Sequence, residues 1–230
     1  MFTFPRRLLC ASLLAAATGS AAAGSNTEVQ PTIRAMSGAV PVQQLPTGKT
    51  ALVVIDFQNE YFTGKMPIVD GAAALANTQE LIGYADRQKI PVFHVQHIAP
   101  AGSALFAEDG ETVKFHPSMQ PRATDQVVRK NTVSVFASTD LDKQLKARGI
   151  DTVLIAGLMT HACVAGAARD AAPLGYTVVV ASDASATRSI TRFNGQAVDY
   201  KALHQAALAE IEDTFGDVMT TAQIKALPVR

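Results

Sequence analysis

Short runs of almost purely apolar residues, alternating with longer amphipathic or small-residue stretches, constrain this chain more than any other feature of its sequence. Residues 51–55, 91–96, 127–128, 152–156, 176–181 and 217–219 read as strands. Residues 71–88, 139–148, 162–174 and 199–215 read as helices, with Thr139 as the cap and Gly149 as the stop of the second, and a last helical turn closes the chain. Between residues 97 and 126, Gly102, Gly110, Pro117 and Pro121 punctuate a long loop. Strands apolar on both faces and separated by helices cannot be left half solvated. They predict a mostly parallel sheet covered by helices on both sides, a three-layer α/β architecture. In such sheets ligands bind beyond the carboxyl ends of the strands.

At 230 residues the chain suits one main domain, read here as residues 50–230. It carries 20 basic and 20 acidic residues with no basic stripe, which argues against nucleic acid as a partner. Arg6 and Arg7, the apolar run 8–17 and the small residues Ala21, Ala22 and Ala23 before Gly24 have the layout of a secretory signal peptide, residues 1–23. The run falls short of the roughly 20 apolar residues of a membrane-spanning helix. The expectation is a periplasmic or secreted protein, exported by the general route and free of the membrane after cleavage. Residues 24–49, rich in Thr, Gly, Pro and Gln and without periodicity, read as a surface tail. Cleavage removes Cys10 and leaves Cys163 without an intramolecular disulfide partner. A lone thiol in an oxidising compartment calls for a reason, either catalysis or inert burial.

Three positions invite chemistry. Asp56 ends the first apolar run, at the mouth of the predicted sheet, where partial desolvation raises a carboxyl pKa and suits it to exchange protons; alternatively it caps a turn. Lys130 ends the third strand, where an ordinary lysine would be solvated. Cys163 stands near the start of a helix that follows a buried strand, a geometry that favours a thiolate and an oxyanion; alternatively it is a small apolar residue among alanines.

Taken together, Ala51-Leu-Val-Val-Ile-Asp56-Phe57-Gln58, Lys130 with Ser134, Phe136 and Thr139-Asp140-Leu141, Gly157-Leu-Met159-Thr160-His-Ala-Cys163-Val164, Gly175-Tyr176 and Ala181-Ser-Asp183-Ala184 resemble the isochorismatase-like cysteine hydrolases. That superfamily includes nicotinamidases, carbamoylsarcosine and ureidoacrylate amidohydrolases, and isochorismatases. The resemblance runs from residue 50 to about 224. It implies a Rossmann-like, six-stranded parallel sheet of order 3-2-1-4-5-6 with Asp56, Lys130 and Cys163 at its carboxyl edge. It also implies a cis peptide between Leu158 and Met159, and an oxyanion hole made by the N–H groups of Met159 and Cys163. Phe57, Gln58, His97, Phe136 and Thr160 are the expected substrate contacts.

Nicotinamidases of this type carry a metal-binding Asp-x-His and a further His. Here the stretch reads His94-Val-Gln-His97, without that aspartate, so neither metal nor other cofactor is expected. The implied reaction is hydrolysis of a C–N bond of a small amide, ureide or imide through a thioester. The alternatives are hydrolysis of an enol ether, which needs no thiol, and a non-catalytic binding protein on the same fold. A redox switch through an intramolecular disulfide is excluded for a single cysteine. The resemblance further implies a homo-oligomer.

Overall fold

The computed structural model describes residues 29–230; the proposed signal peptide and Cys10 lie outside them. Six strands, β1 (Thr50–Ile55), β2 (Val92–His97), β3 (Gln126–Lys130), β4 (Thr152–Leu158), β5 (Thr177–Ala186) and β6 (Asp217–Met219), form one parallel sheet of order 3-2-1-4-5-6. The central strands β1 and β4 are buried at every position, as their unbroken apolar sequences require. Edge strand β3 instead alternates exposed and buried residues along Val127 to Lys130.

Alternation along β1 divides the core. Leu52 and Val54 enter one cluster with Leu81 and Ala85 of helix α1 (Gly71–Gln88) and with Leu154 and Val179. Ala51, Val53 and Ile55 enter the opposite cluster with Leu145 of α2 (Leu141–Ala147), Ala168 of α3 (Ala165–Ala171) and Ile211 of α4 (Tyr200–Thr214). Because successive side chains of a strand point to opposite faces, a slip of one residue would exchange the two cores. The final helix, α5 (Thr221–Ala226), starts with a capping box between Thr220 and Gln223.

Helix α1 has the bounds its sequence predicts. Helix α2 starts later than expected, with Asp140 rather than Thr139 as its N-cap, although the Thr139 hydroxyl accepts the Leu141 N–H at 3.2 Å. Four other features differ from expectation. The stretch 24–49, read as a surface tail, contains a helical turn at Ile33–Met36, and Leu45 is wholly buried. Its anchor is Asp217 at the head of edge strand β6, which pairs with Arg34 at 2.6 Å and accepts the Val42 N–H. Aperiodic sequence hides such anchoring because the contacts are made with the far end of the chain. A separate turn, Val135–Ser138, precedes α2. The helix around Cys163 opens as a π-type turn, Thr160–Val164, before becoming α3. Finally, β5 continues to Ala186, past the predicted end, and leads into a two-stranded hairpin, Ile190–Thr191 with Ala197–Val198.

Gly157 shows how tightly β4 lies against β1 beside the site: a Cβ there would stand 2.5 Å from the Ile55 carbonyl oxygen. Gly157→Ala should therefore destabilise the fold by about 1–3 kcal/mol through overpacking. Gly83→Ala, in the middle of α1 with only the Arg87 guanidinium nearby at 3.6 Å, should stabilise it by roughly 0.5–1 kcal/mol. Thermal melts of the two variants should move in opposite directions.

Candidate active site

Ile55 pairs in register with Val95 of β2 and Gly157 of β4, so the next residue, Asp56, emerges at the carboxyl edge of the sheet's centre. Its backbone turns sharply there, with φ of 57°, a left-handed conformation that Asp tolerates better than most side chains. Two hydrogen bonds hold the turn: the Asp56 N–H donates to Val95 O at 3.0 Å, and the Gln58 N–H donates to Asp56 O at 2.7 Å. Gln58 then locks β1 to β2. Its Nε2 donates to the carbonyls of His97 and Val113 at 2.8 and 2.6 Å, and its Oε1 accepts the His97 N–H at 2.8 Å.

His97 and Lys130 are register partners on β2 and β3, which places their side chains on one face of the sheet. The Lys130 ammonium is the hub of the site. It lies 2.8 Å from Asp56 Oδ2, 2.8 Å from His97 Nδ1, 3.3 Å from Thr132 O and 3.4 Å from Cys163 Sγ. The Asp56 contact is a close ion pair, within the distance of a charge-assisted hydrogen bond. Cys163, delivered by the turn after β4, is 5% exposed, and Asp56 and Lys130 are buried.

Burial governs the protonation states. It raises the Asp56 carboxyl even against the attraction of Lys130. It pulls Lys130 down, but the negative charges of Asp56 and Cys163 outweigh it and leave the ammonium held more firmly than usual. Burial and the Lys130 charge lower His97 to about 4. A neutral His97 is also what the geometry requires, because Nδ1 must accept from the ammonium, leaving the ring proton on Nε2. Burial and then the Asp56 charge push the Cys163 thiol up to about 12, with Lys130 opposing them.

The isochorismatase domain model matches residues 50–223 of this chain. The chain belongs to the isochorismatase family. It is 35% identical over 191 residues to the secreted isochorismatase effector Isc1 of Verticillium dahliae, an alignment covering 83% of this chain and 97% of that protein. It is 28% identical to the maleamate amidohydrolase of Pseudomonas putida, over 75% of this chain and 83% of the relative. A solved cysteine hydrolase from Pseudomonas syringae superposes with a TM-score of 0.76 at 26% identity, covering 86% of this chain and 97% of that one. These likenesses support a hydrolase.

Within this isochorismatase-family fold the peptide between Leu158 and Met159 is cis, as the resemblance implies. Of the residues expected to touch substrate, only His97 joins the Asp56, Lys130 and Cys163 cluster. Phe57 is a core residue, Gln58 has its amide fully engaged with backbone, and Phe136 packs on Tyr176 with ring centroids 5.8 Å apart. Thr160 is buried, its hydroxyl 2.8 Å from His204 Nδ1. The sequence motif marks these positions by their nearness to the site in the chain, but burial and backbone partners take their side chains elsewhere. An aromatic wall was missed: Phe106 lies between His97, at 4.7 Å, and Tyr61, at 5.5 Å. Tyr61 is held well above its usual pKa by burial and by the charges of Asp56 and Cys163. Five positions after Asp56, it had only that proximity as a signal, and Phe106 sits in a loop that had none.

His94 points away from the cluster, its Nε2 3.3 Å from Asp125. Among the described residues no three His, Cys, Asp or Glu side chains stand close enough to hold a metal ion.

A thiol pushed up to about 12 is protonated at rest, contrary to the helix-start expectation of a thiolate, because burial and Asp56 outweigh Lys130. Alkylation of Cys163 by a small neutral reagent should therefore rise about tenfold per pH unit from about pH 6 to 9 without reaching a plateau. Asp56→Asn removes a repelling charge and should lower the midpoint, giving faster alkylation at every pH. Lys130→Ala removes the opposing cation and should slow it. A wild-type plateau near neutral pH would show a preformed thiolate.

Proposed function

We propose that this protein is a cysteine hydrolase that cleaves a C–N bond of a small amide, ureide or imide through a thioester on Cys163. The observation that carries the reading is a single buried ammonium, Lys130 Nζ, placed 2.8 Å from a carboxylate oxygen of Asp56 and 3.4 Å from the Cys163 sulfur. An inert buried cysteine gains nothing from an ion pair at its side, and a buried ion pair is costly to assemble.

In this mechanism Asp56 takes the thiol proton as sulfur attacks the carbonyl carbon. Lys130 offsets the negative charge that moves between sulfur and carboxylate. The N–H groups of Met159 and Cys163, in the turn leaving β4, receive the developing oxyanion. Asp56 then protonates the departing nitrogen, the C–N bond breaks, and the thioester remains. Water attacks the thioester, giving its proton to Asp56; the C–S bond breaks, the acid leaves, and the proton returns to sulfur. A thiol that is neutral at rest makes a proton acceptor necessary, and Asp56, paired with the ammonium that lies 3.4 Å from the sulfur, is that acceptor. The amidohydrolase among the relatives supports C–N cleavage over the enol ether reaction, and intact acid, base and nucleophile favour turnover over mere binding. The secreted relative and the N-terminal pattern support export to the periplasm or beyond.

Cys163→Ser and Asp56→Asn should each lower kcat by about 10³-fold or more on a substrate drawn from a panel of small amides, ureides and imides. The double variant should be scarcely worse than either, because the two residues act on one proton. Additive losses, or turnover of isochorismate alone, would refute the scheme. Treatment with a strong chelator should leave kcat unchanged, and loss restored by one added metal would show a metal-dependent route.

A further inference from the structure

Cys163 is the fourth residue of the π-type turn Thr160–Val164, a conformation that is rare and is found mostly at functional sites. Inside the turn the N–H groups of Ala162 and Val164 converge on one carbonyl, that of Met159, at 3.1 and 3.2 Å. Two side-chain bonds tie the same turn to elements outside it. Thr160, wholly buried, sets its hydroxyl 2.8 Å from Nδ1 of His204, in the second turn of α4. His161 bonds through its own Nδ1 to the hydroxyl of Thr187, which is buried just past the end of β5. Burial lowers the pKa of both rings and keeps them neutral near pH 7. In each pair a hydroxyl and a ring nitrogen satisfy one another, whichever carries the shared proton.

Consecutive residues of the turn are thus fastened to a helix and to a strand end, and neither pair includes Asp56, Lys130 or Cys163. Thr160 and His161 stand in the chain between Met159 and Cys163, whose N–H groups receive the oxyanion in the proposed function. Such donors work only when they are held in place before the charge develops, and a misplacement of about 1 Å costs on the order of 100-fold in rate. We propose that the pairs Thr160 with His204 and His161 with Thr187 are positioning residues that hold this turn in the geometry of the oxyanion hole. They act on the stability of the tetrahedral intermediate and not on the reactivity of the thiol. The inference rests on the proposed function for the identity of the oxyanion donors, not for the bond that is cleaved.

Two reactions of Cys163 separate positioning from plain structural support, and neither needs a substrate. Iodoacetamide is displaced at a saturated carbon: the S–C bond forms as C–I breaks, and no oxyanion arises. Propionaldehyde adds reversibly: the S–C bond forms, the thiol proton ends on the former carbonyl oxygen, and that oxygen takes the place of the oxyanion. In the full chain, Thr160→Val should raise about tenfold the propionaldehyde concentration that halves alkylation, while alkylation without aldehyde stays within about twofold of wild type. On any small amide, ureide or imide that wild type turns over, kcat should fall about 10–100-fold with KM within about twofold. Thr160→Ser keeps the hydroxyl and His204→Asn keeps a polar atom at the place of Nδ1, so both should recover most of the loss. His204→Leu should not, and its combination with Thr160→Val should be scarcely worse than either alone. Thr187→Val repeats the test on the second pair if Thr160→Val does not fold. Alkylation that falls in step with kcat and aldehyde protection would make the pairs structural and overturn the proposal, as would unchanged aldehyde protection in the Val variants. A wild type that aldehyde does not protect would remove the oxyanion hole, and the proposal with it. Weakened protection in the variants, with no amide hydrolysed by wild type, would keep the positioning role and sink C–N cleavage.

Discussion

The buried ion pair between Lys130 and Asp56 is the interaction on which the site depends. Removing one member of such a pair costs about 3–5 kcal/mol because the other is left charged in a medium that solvates it poorly. The pair is assembled across strands: Asp56 follows β1, Lys130 ends β3, and β2 between them contributes His97 as a neutral acceptor for the same ammonium. Gln58 ties the turn after Asp56 to the backbone of His97, so the distance from carboxylate to ammonium is set by three adjoining backbones rather than by flexible side chains. Closure of the sheet's centre, with β1 and β4 buried throughout, supplies the low dielectric that makes the pair strong once formed.

Cys163 is shaped by the same pair. Burial and the Asp56 carboxylate hold its proton, while the ammonium at 3.4 Å stands ready to compensate the thiolate. Deprotonation is thereby deferred until a substrate carbonyl can accept the sulfur electrons, with Asp56 as the proton's destination. A thiol kept neutral and nearly closed to solvent is also a poor target for oxidants. The aromatic wall of His97, Phe106 and Tyr61 flanks this centre on the side of His97.

Much of this was legible from residue order. Apolar runs of strand length, separated by helices, require a parallel sheet whose strands are covered on both faces, and the turn at the end of each run places Asp56, Lys130 and Cys163 at one edge. Helix α1 could be bounded because its own residues alternate between core and solvent. Sequence by itself could not decide which side chains near those three positions face them. Phe57 and Gln58 adjoin Asp56 in the chain but turn to the core and to the backbone of β2, whereas Phe106 is distant in sequence and is brought against His97 by a loop. The protonation of Cys163 was also beyond reach, since it depends on a balance between burial and two opposite charges that exists only once three strands are packed. Periodicity reports how a segment relates to the nearest apolar face; orientation, burial and charge balance at a site are set by contacts between segments, and only the tertiary structure contains those.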